Sequence, residues 1–114
     1  MKKGKPMNSY HPDNWVIIKF DGPDPHYRVL AGWSGGYTSG TSWKLNSGIT
    51  KVEDHNDFYR FYGSSGSYYD CNKESYMLRM NNAYIWNQLK ELHGDKVQLM
   101  EENTDWSSVD WIIS

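Results

Sequence analysis

Residues 31–47 read AGWSGGYTSGTSWKLNS, and their reading decides the fold. Gly35, Gly36 and Gly40 mark a reversal, because glycine takes positive φ at little steric cost. Upstream, residues 26–34 read HYRVLAGWS. Tyr27, Val29, Ala31 and Trp33 alternate there with the period of a half-buried strand. Downstream, TSWKL at 41–45 puts Thr41, Trp43 and Leu45 on one face. The stretch therefore predicts a hairpin joined through residues 35–40, with Trp33 and Trp43 packed and Tyr37 out at its far end. Connections longer than a two-residue turn are more often functional. The plainer alternative is a Gly-rich hairpin whose aromatic residues serve packing alone.

Working outward, further strand segments follow. NWVIIKF at 14–20 is a strand, and DGPDP at 21–25 cannot continue it, since proline lacks the ladder donor. ITKVE at 49–53, DFYRFY at 57–62 and a short piece at 67–71 read as further strands, separated by NSG, DHND and GSSG turns. Regular turn spacing of this kind fits an antiparallel meander. The period then changes. In NNAYIWNQLKELH at 81–93, Ile85, Trp86, Leu89 and Leu92 recur at three and four residues, which is one face of a helix. Asn81 or Asn82 can cap its start, and Gly94 follows its end. Residues 74–80 read as a loop with a short regular piece, and KVQLM at 96–100 as a last strand at the sheet edge. The expected fold is α+β: an antiparallel meander of about five to six strands packed on one helix at 81–93.

With 114 residues the chain is one domain's worth. Residues 1–9 read as a flexible basic arm and 10–114 as a single domain. MKKGK at the start holds three of the twelve basic residues, so the remainder is acidic, with nine basic against fourteen acidic side chains. That balance argues against a phosphate-tracking nucleic-acid binder. One cysteine allows no internal disulfide, no apolar h-region follows the basic start, and no apolar run is long enough to span a bilayer. These features predict a cytoplasmic protein without a membrane partner. The apolar segment 106–113 predicts docking, either on its own domain or on a second copy, which makes a homodimer through Trp106 and Trp111 an expectation to test.

No catalytic constellation stands out, and no metal or cofactor set is spelled. His55 lies in EDHND beside Glu53, Asp54 and Asp57, a neighbourhood suited to a cation or a general base, or to nothing more than a solvated turn. Cys71 has only Lys73 nearby as a base, so it reads as a packed or half-exposed structural thiol. Gly32-Trp33-Ser34-Gly35-Gly36 spells G-x-S-x-G, but a strand rather than a helix follows, against the hydrolase elbow. Gly63-Ser64-Ser65-Gly66 can present amides to an anion or serve as a plain turn.

YHPDNWVIIKF, HYRVLAGWSGGY and MNNAYIWNQLKELHGDKV are similar to segments of small uncharacterised proteins of tailed phages, particularly phages of marine cyanobacteria. The resemblance covers most of residues 10–111 and carries no functional motif. It implies a small accessory protein made in the infected bacterial cytoplasm, of a class that often binds a host component. The surplus of Trp and Tyr, six and nine, suits an interface. The expectation is a non-catalytic binder of a host protein or small ligand through Trp33, Ser34, Tyr37, Thr41 and Trp43, extended by Tyr68. Alternatives are a sequestering pocket for a nucleotide-like signal, an enzyme using His55 or Cys71, and a minor virion component.

Overall fold

NWVIIKF buries both of its faces, and that sets the layering of the molecule. The computed structural model describes residues 8–34 and 42–111. In strand β2 (Asn14–Phe20), Trp15 and Ile17 point into one apolar cluster while Val16 and Ile18 point into another. A strand covered on both faces reads as a continuous apolar run rather than an alternating one. Its antiparallel neighbour β3 (His26–Trp33) divides in the same way: Tyr27, Val29 and Ala31 go to the first cluster, Leu30 to the second.

The described chain forms eight strands and one α-helix, with the strands in two four-stranded sheets. The remaining strands are β1 (Ser9–Tyr10), β4 (Ser42–Leu45), β5 (Ile49–Asp54), β6 (Phe58–Gly63), β7 (Tyr68–Asn72) and β8 (Val97–Leu99). One sheet has the order β4-β3-β2-β8, the other β1-β7-β6-β5. Every pairing is antiparallel except β1 with β7. The class is thus α+β, rich in antiparallel strands, with its helix in the C-terminal half. The meander is cut in two between β4 and β5. Asn46 closes the last rung of β4: its N–H donates to Val29 O at 3.0 Å, and its side-chain Oδ1 accepts from Val29 N–H at 2.8 Å. Gly48, at φ 135°, then turns the chain across to the opposite layer, where Ile49 is buried in the core.

The core between the sheets is aromatic. Trp15, Phe61, Tyr69, Trp106 and Trp111 are buried in it. Trp106 and Trp111 therefore dock on their own domain. Tyr76 joins this core edge-on to Trp15. Its hydroxyl accepts from Ile17 N–H and donates to Met100 O, while Met77 N–H donates to Trp15 O. The Tyr76–Met77 segment thus completes the ladder of β2 where β8 does not reach. Burial pushes the Tyr76 phenol up to about 12.

The outer face of the β4-β3-β2-β8 sheet carries the helix α1 (Met80–His93), through Ile85 with Trp86 and Leu89. Gly94, at φ 58°, ends it. The start differs from expectation. Arg79 is the flanking residue, Asn82 Oδ1 accepts from the Arg79 N–H at 2.8 Å, and Asn81 lies inside the first turn with its side chain fully buried. The second face of this sheet is covered by the other sheet rather than left wet. The solvated face is the outside of β5-β6-β7, where Arg60 meets Asp70 in a two-point ion pair at 2.8 and 3.0 Å. Residues 1–7 of the expected arm lie outside the described residues, and Ser9 is already paired with Tyr68.

Candidate functional site

The end of the β3–β4 hairpin is fixed by three asparagines and a glycine. Asn14 and Asn81 exchange amide hydrogen bonds, Nδ2 to Oδ1, at 3.0 and 2.8 Å. Asn14 Nδ2 also donates to Met77 O, and Asn81 Nδ2 donates to Ser34 Oγ at 2.9 Å. Asn82 Nδ2 donates to Leu30 O. All three asparagines are buried, and buried amides persist in a core only when so partnered. Gly32 makes room for them, since a Cβ there would lie 2.5 Å from Asn81 Cγ. Sequence reading missed this cluster. Its only trace is an Asn opening an otherwise apolar strand and an Asn pair opening a helix.

On this frame the expected site residues separate. Trp33 is half-buried on the sandwich side: its Nε1–H donates to His11 O at 3.0 Å and its ring meets Tyr10 edge-on. Ser34 is exposed, held by Asn81 and by Asp13, whose Oδ2 accepts the Ser34 N–H at 2.7 Å. Trp43 corrects the expectation of packing, being 42% exposed. It pairs with Gly32, so its side chain is on the helix side of the sheet, the same side as Asn81. Tyr37 and Thr41 lie outside the described residues. Tyr68 is on the far, outer face of β7, against Tyr62 and beneath the Arg60 guanidinium at 4.3 Å. It does not extend the surface around Trp43, because two sheets stand between them.

Ser34 and Trp43 are diagonal neighbours on the helix-side face, close enough for a large side chain to span. Beside Ser34 opens a cavity of about 470 Å³ lined by Ser34, Arg79, Met80 and Asn81. Met80 is 85% exposed. Exposed Trp and Met beside the Arg79 guanidinium, whose Nε–H donates to Met77 Sδ at 3.2 Å, make an apolar contact surface with one charge at its margin. A second cavity, about 530 Å³, lies over Tyr59, Tyr76 and Trp106 with Lys73, Glu101 and Glu102 at its rim. Trp106 lines its floor at only 2% exposure, so little of that ring is open for stacking.

The candidate chemical groups are placed as follows. Cys71 is fully buried, and burial raises its thiol well above the usual range. His55 Nε2 lies 2.9 Å from Glu53 Oε1 on an exposed turn, and that hydrogen bond holds the Glu53 carboxyl below its ordinary value, the direction opposite to a general base. Among the described residues no three His, Cys, Asp or Glu side chains gather at metal-binding distance, and no helix is long and apolar enough to cross a membrane. The 63–66 turn uses its amides internally: Ser64 N–H goes to Gly48 O, Ser65 N–H to Ser47 Oγ and Gly66 N–H to Gly63 O. It is a turn, with no donors left for an anion.

Burial of these acids has a consequence for pH. The Cys71 thiol and the Tyr69 and Tyr76 phenols are all raised by desolvation, so the folded protein holds protons that the unfolded chain releases near pH 8.5 and 10. Their stabilisation is complete below about pH 8 and falls as pH rises through those unfolded values. The urea midpoint is expected to be flat from pH 6 to 8 and to drop steadily above 9. A midpoint that holds through pH 10.5 would contradict the burial of these groups. Comparison with protein-family models, with curated proteins and with solved structures finds no match.

Proposed function

We propose that this chain is a small non-catalytic binding protein, of the phage accessory kind, that engages a host protein through the surface formed by Trp43, Ser34, Arg79 and Met80. The observation that carries the reading is the exposure of Trp43 on a sheet face that is otherwise covered by α1. A partly exposed tryptophan on a strand has few torsions to order on binding and supplies a large contact area. The asparagine cluster beneath holds strand and helix start in one geometry, which limits the entropy lost on association. The shallow form and acidic rim of the larger cavity weigh against a nucleotide-like ligand, whose phosphates those carboxylates would repel. The buried thiol of Cys71 weighs against an enzyme built on it.

The test separates folding from binding. Trp43→Ala is expected to shift stability by about 0.5 kcal/mol or less, because the ring is substantially exposed. It is expected to weaken capture of a partner from bacterial host lysate by about 1–2 kcal/mol. Thermal melts and quantitative pull-downs read the two effects. Undiminished capture by a folded Trp43→Ala, Met80→Ser variant would place the binding surface elsewhere.

A further inference from the structure

We propose that β4 is a docking edge for an extended peptide whose side chains alternate apolar and acidic, added as a fifth strand to the β4-β3-β2-β8 sheet. This rests on the preceding reading that the Trp43 surface binds protein, and it names the mode and the chemistry of the partner.

The direction of the backbone groups comes first. Asn46 N–H bonds Val29 O, so Val29 and Asn46 form a hydrogen-bonded pair. Bonded and unbonded pairs alternate along an antiparallel ladder. With Leu30 opposite Leu45, Ala31 opposite Lys44 and Gly32 opposite Trp43, it is Lys44 that bonds inward to β3. Trp43 and Leu45 turn their N–H and C=O groups away from β3, out of the sheet. The far side of β3 agrees. Ile17 sits opposite Val29 and spends its own N–H and C=O on Tyr76 and Met100, so Val29 must face β4. Among the described residues, no backbone or side-chain group bonds the outward groups of Trp43 and Leu45. β4 is an outer strand of its sheet and most of it is exposed.

The side chains then set the partner's pattern. Trp43 and Leu45 are on the helix side, and Lys44 is on the opposite side, with Nζ 5.2 Å from the Tyr10 ring. Residues directly opposite on adjacent strands share a face and interact there. A strand laid along β4 would set an apolar residue beside Trp43, an acid beside Lys44 and an apolar residue beside Leu45. Neither Lys44 nor Arg79 has a carboxylate partner among the described residues, so a second acid near the helix start is also favoured. A second copy of β4 is a poorer occupant, because pairing two such strands brings Lys44 toward Lys44 on one face. Main-chain bonds would supply affinity and the alternate contacts specificity, as in other strand additions.

The experiment uses the full chain and a displayed library of random decapeptides. Wild type is expected to enrich sequences that alternate apolar and acidic residues. Lys44→Glu, checked by a thermal melt, is expected to move the enriched charge from acidic to basic at the central position, while Lys44→Gln flattens the preference. In an enriched peptide, N-methylation at alternate residues is expected to weaken binding about tenfold for one parity and leave the other unchanged. Enrichment that ignores the charge at position 44, affinity without parity, no enrichment at all, or a concentration-dependent dimer through β4 would each overturn the proposal. In the first two cases, loss of binding by Trp43→Ala would leave the surface reading standing and remove only the strand mode.

Discussion

Gly32→Ala is expected to lower folding stability by about 3–5 kcal/mol, although it adds one methyl group. The reason is space rather than backbone conformation, since Gly32 sits in regular β3 and is not at positive φ. The added Cβ would lie 2.5 Å from Asn81 Cγ and 2.8 Å from its Nδ2, distances at which the amide must leave. Overpacking alone costs about 1–3 kcal/mol. Displacing Asn81 also takes the donor from the buried Asn14 Oδ1, leaving Asn14 bonded to Met77 O alone, and an unsatisfied buried polar group adds about 1–3 kcal/mol. Asn81→Ala opens the same space, so Gly32→Ala with Asn81→Ala should cost less than the two singles summed. Urea denaturation of the four proteins reads the coupling. Strict additivity, or a Gly32→Ala loss under 1 kcal/mol, would mean that the cluster relaxes freely and does not fix the helix.

Trp106→Ala is expected to cost about 3–5 kcal/mol, the usual range for emptying a large buried aromatic site. Its ring is packed within 6.1 Å of Trp15, 5.8 Å of Tyr76 and 6.3 Å of Trp111, centroid to centroid. The void would open within the aromatic cluster between the sheets, beneath the cavity lined by Tyr59, Tyr76 and Trp106. Trp43→Ala serves as the internal control, a tryptophan of the same chain removed from an exposed site. A guanidinium titration in which the two variants differ by less than 1 kcal/mol would contradict the burial of the C-terminal segment.

What the sequence revealed follows from period. Strands 26–33 and 42–45 are visible because Tyr27, Val29 and Ala31, or Trp43 and Leu45, repeat at two, and 14–20, 49–54 and 58–63 because turn signals bound short apolar or aromatic runs. The helix is visible because Ile85, Trp86 and Leu89 repeat at three and four. Period says which residues share a face and not which layer that face meets. Trp43 and Leu45 were correctly grouped, yet the face they share looks toward α1, where the helix start leaves Trp43 uncovered. Tyr68 was grouped with Trp33 by nearness to a similar turn, and it belongs to the opposite surface. The break into two sheets rests on Asn46 satisfying Val29 with side chain and main chain together, a contact seventeen residues long that no local pattern encodes. The same holds for Asn14 and Asn81, sixty-seven residues apart.

The Tyr76–Met77 segment beside β2 has a consequence for how many strands this sheet can accept. An edge recruits further strands only if its donors and acceptors form a straight, uninterrupted row. On the β2 side that row is stepped: a three-residue β8 covers one half, and a phenol hydroxyl with a single main-chain amide covers the other. A straight incoming chain finds no continuous register there, while β4 presents one. Head-to-tail growth requires two mutually compatible edges, and a sheet with one usable edge terminates after a single addition. In the β4-β3-β2-β8 sheet, strand addition is thereby confined to the β4 side, where Trp43 is partly exposed.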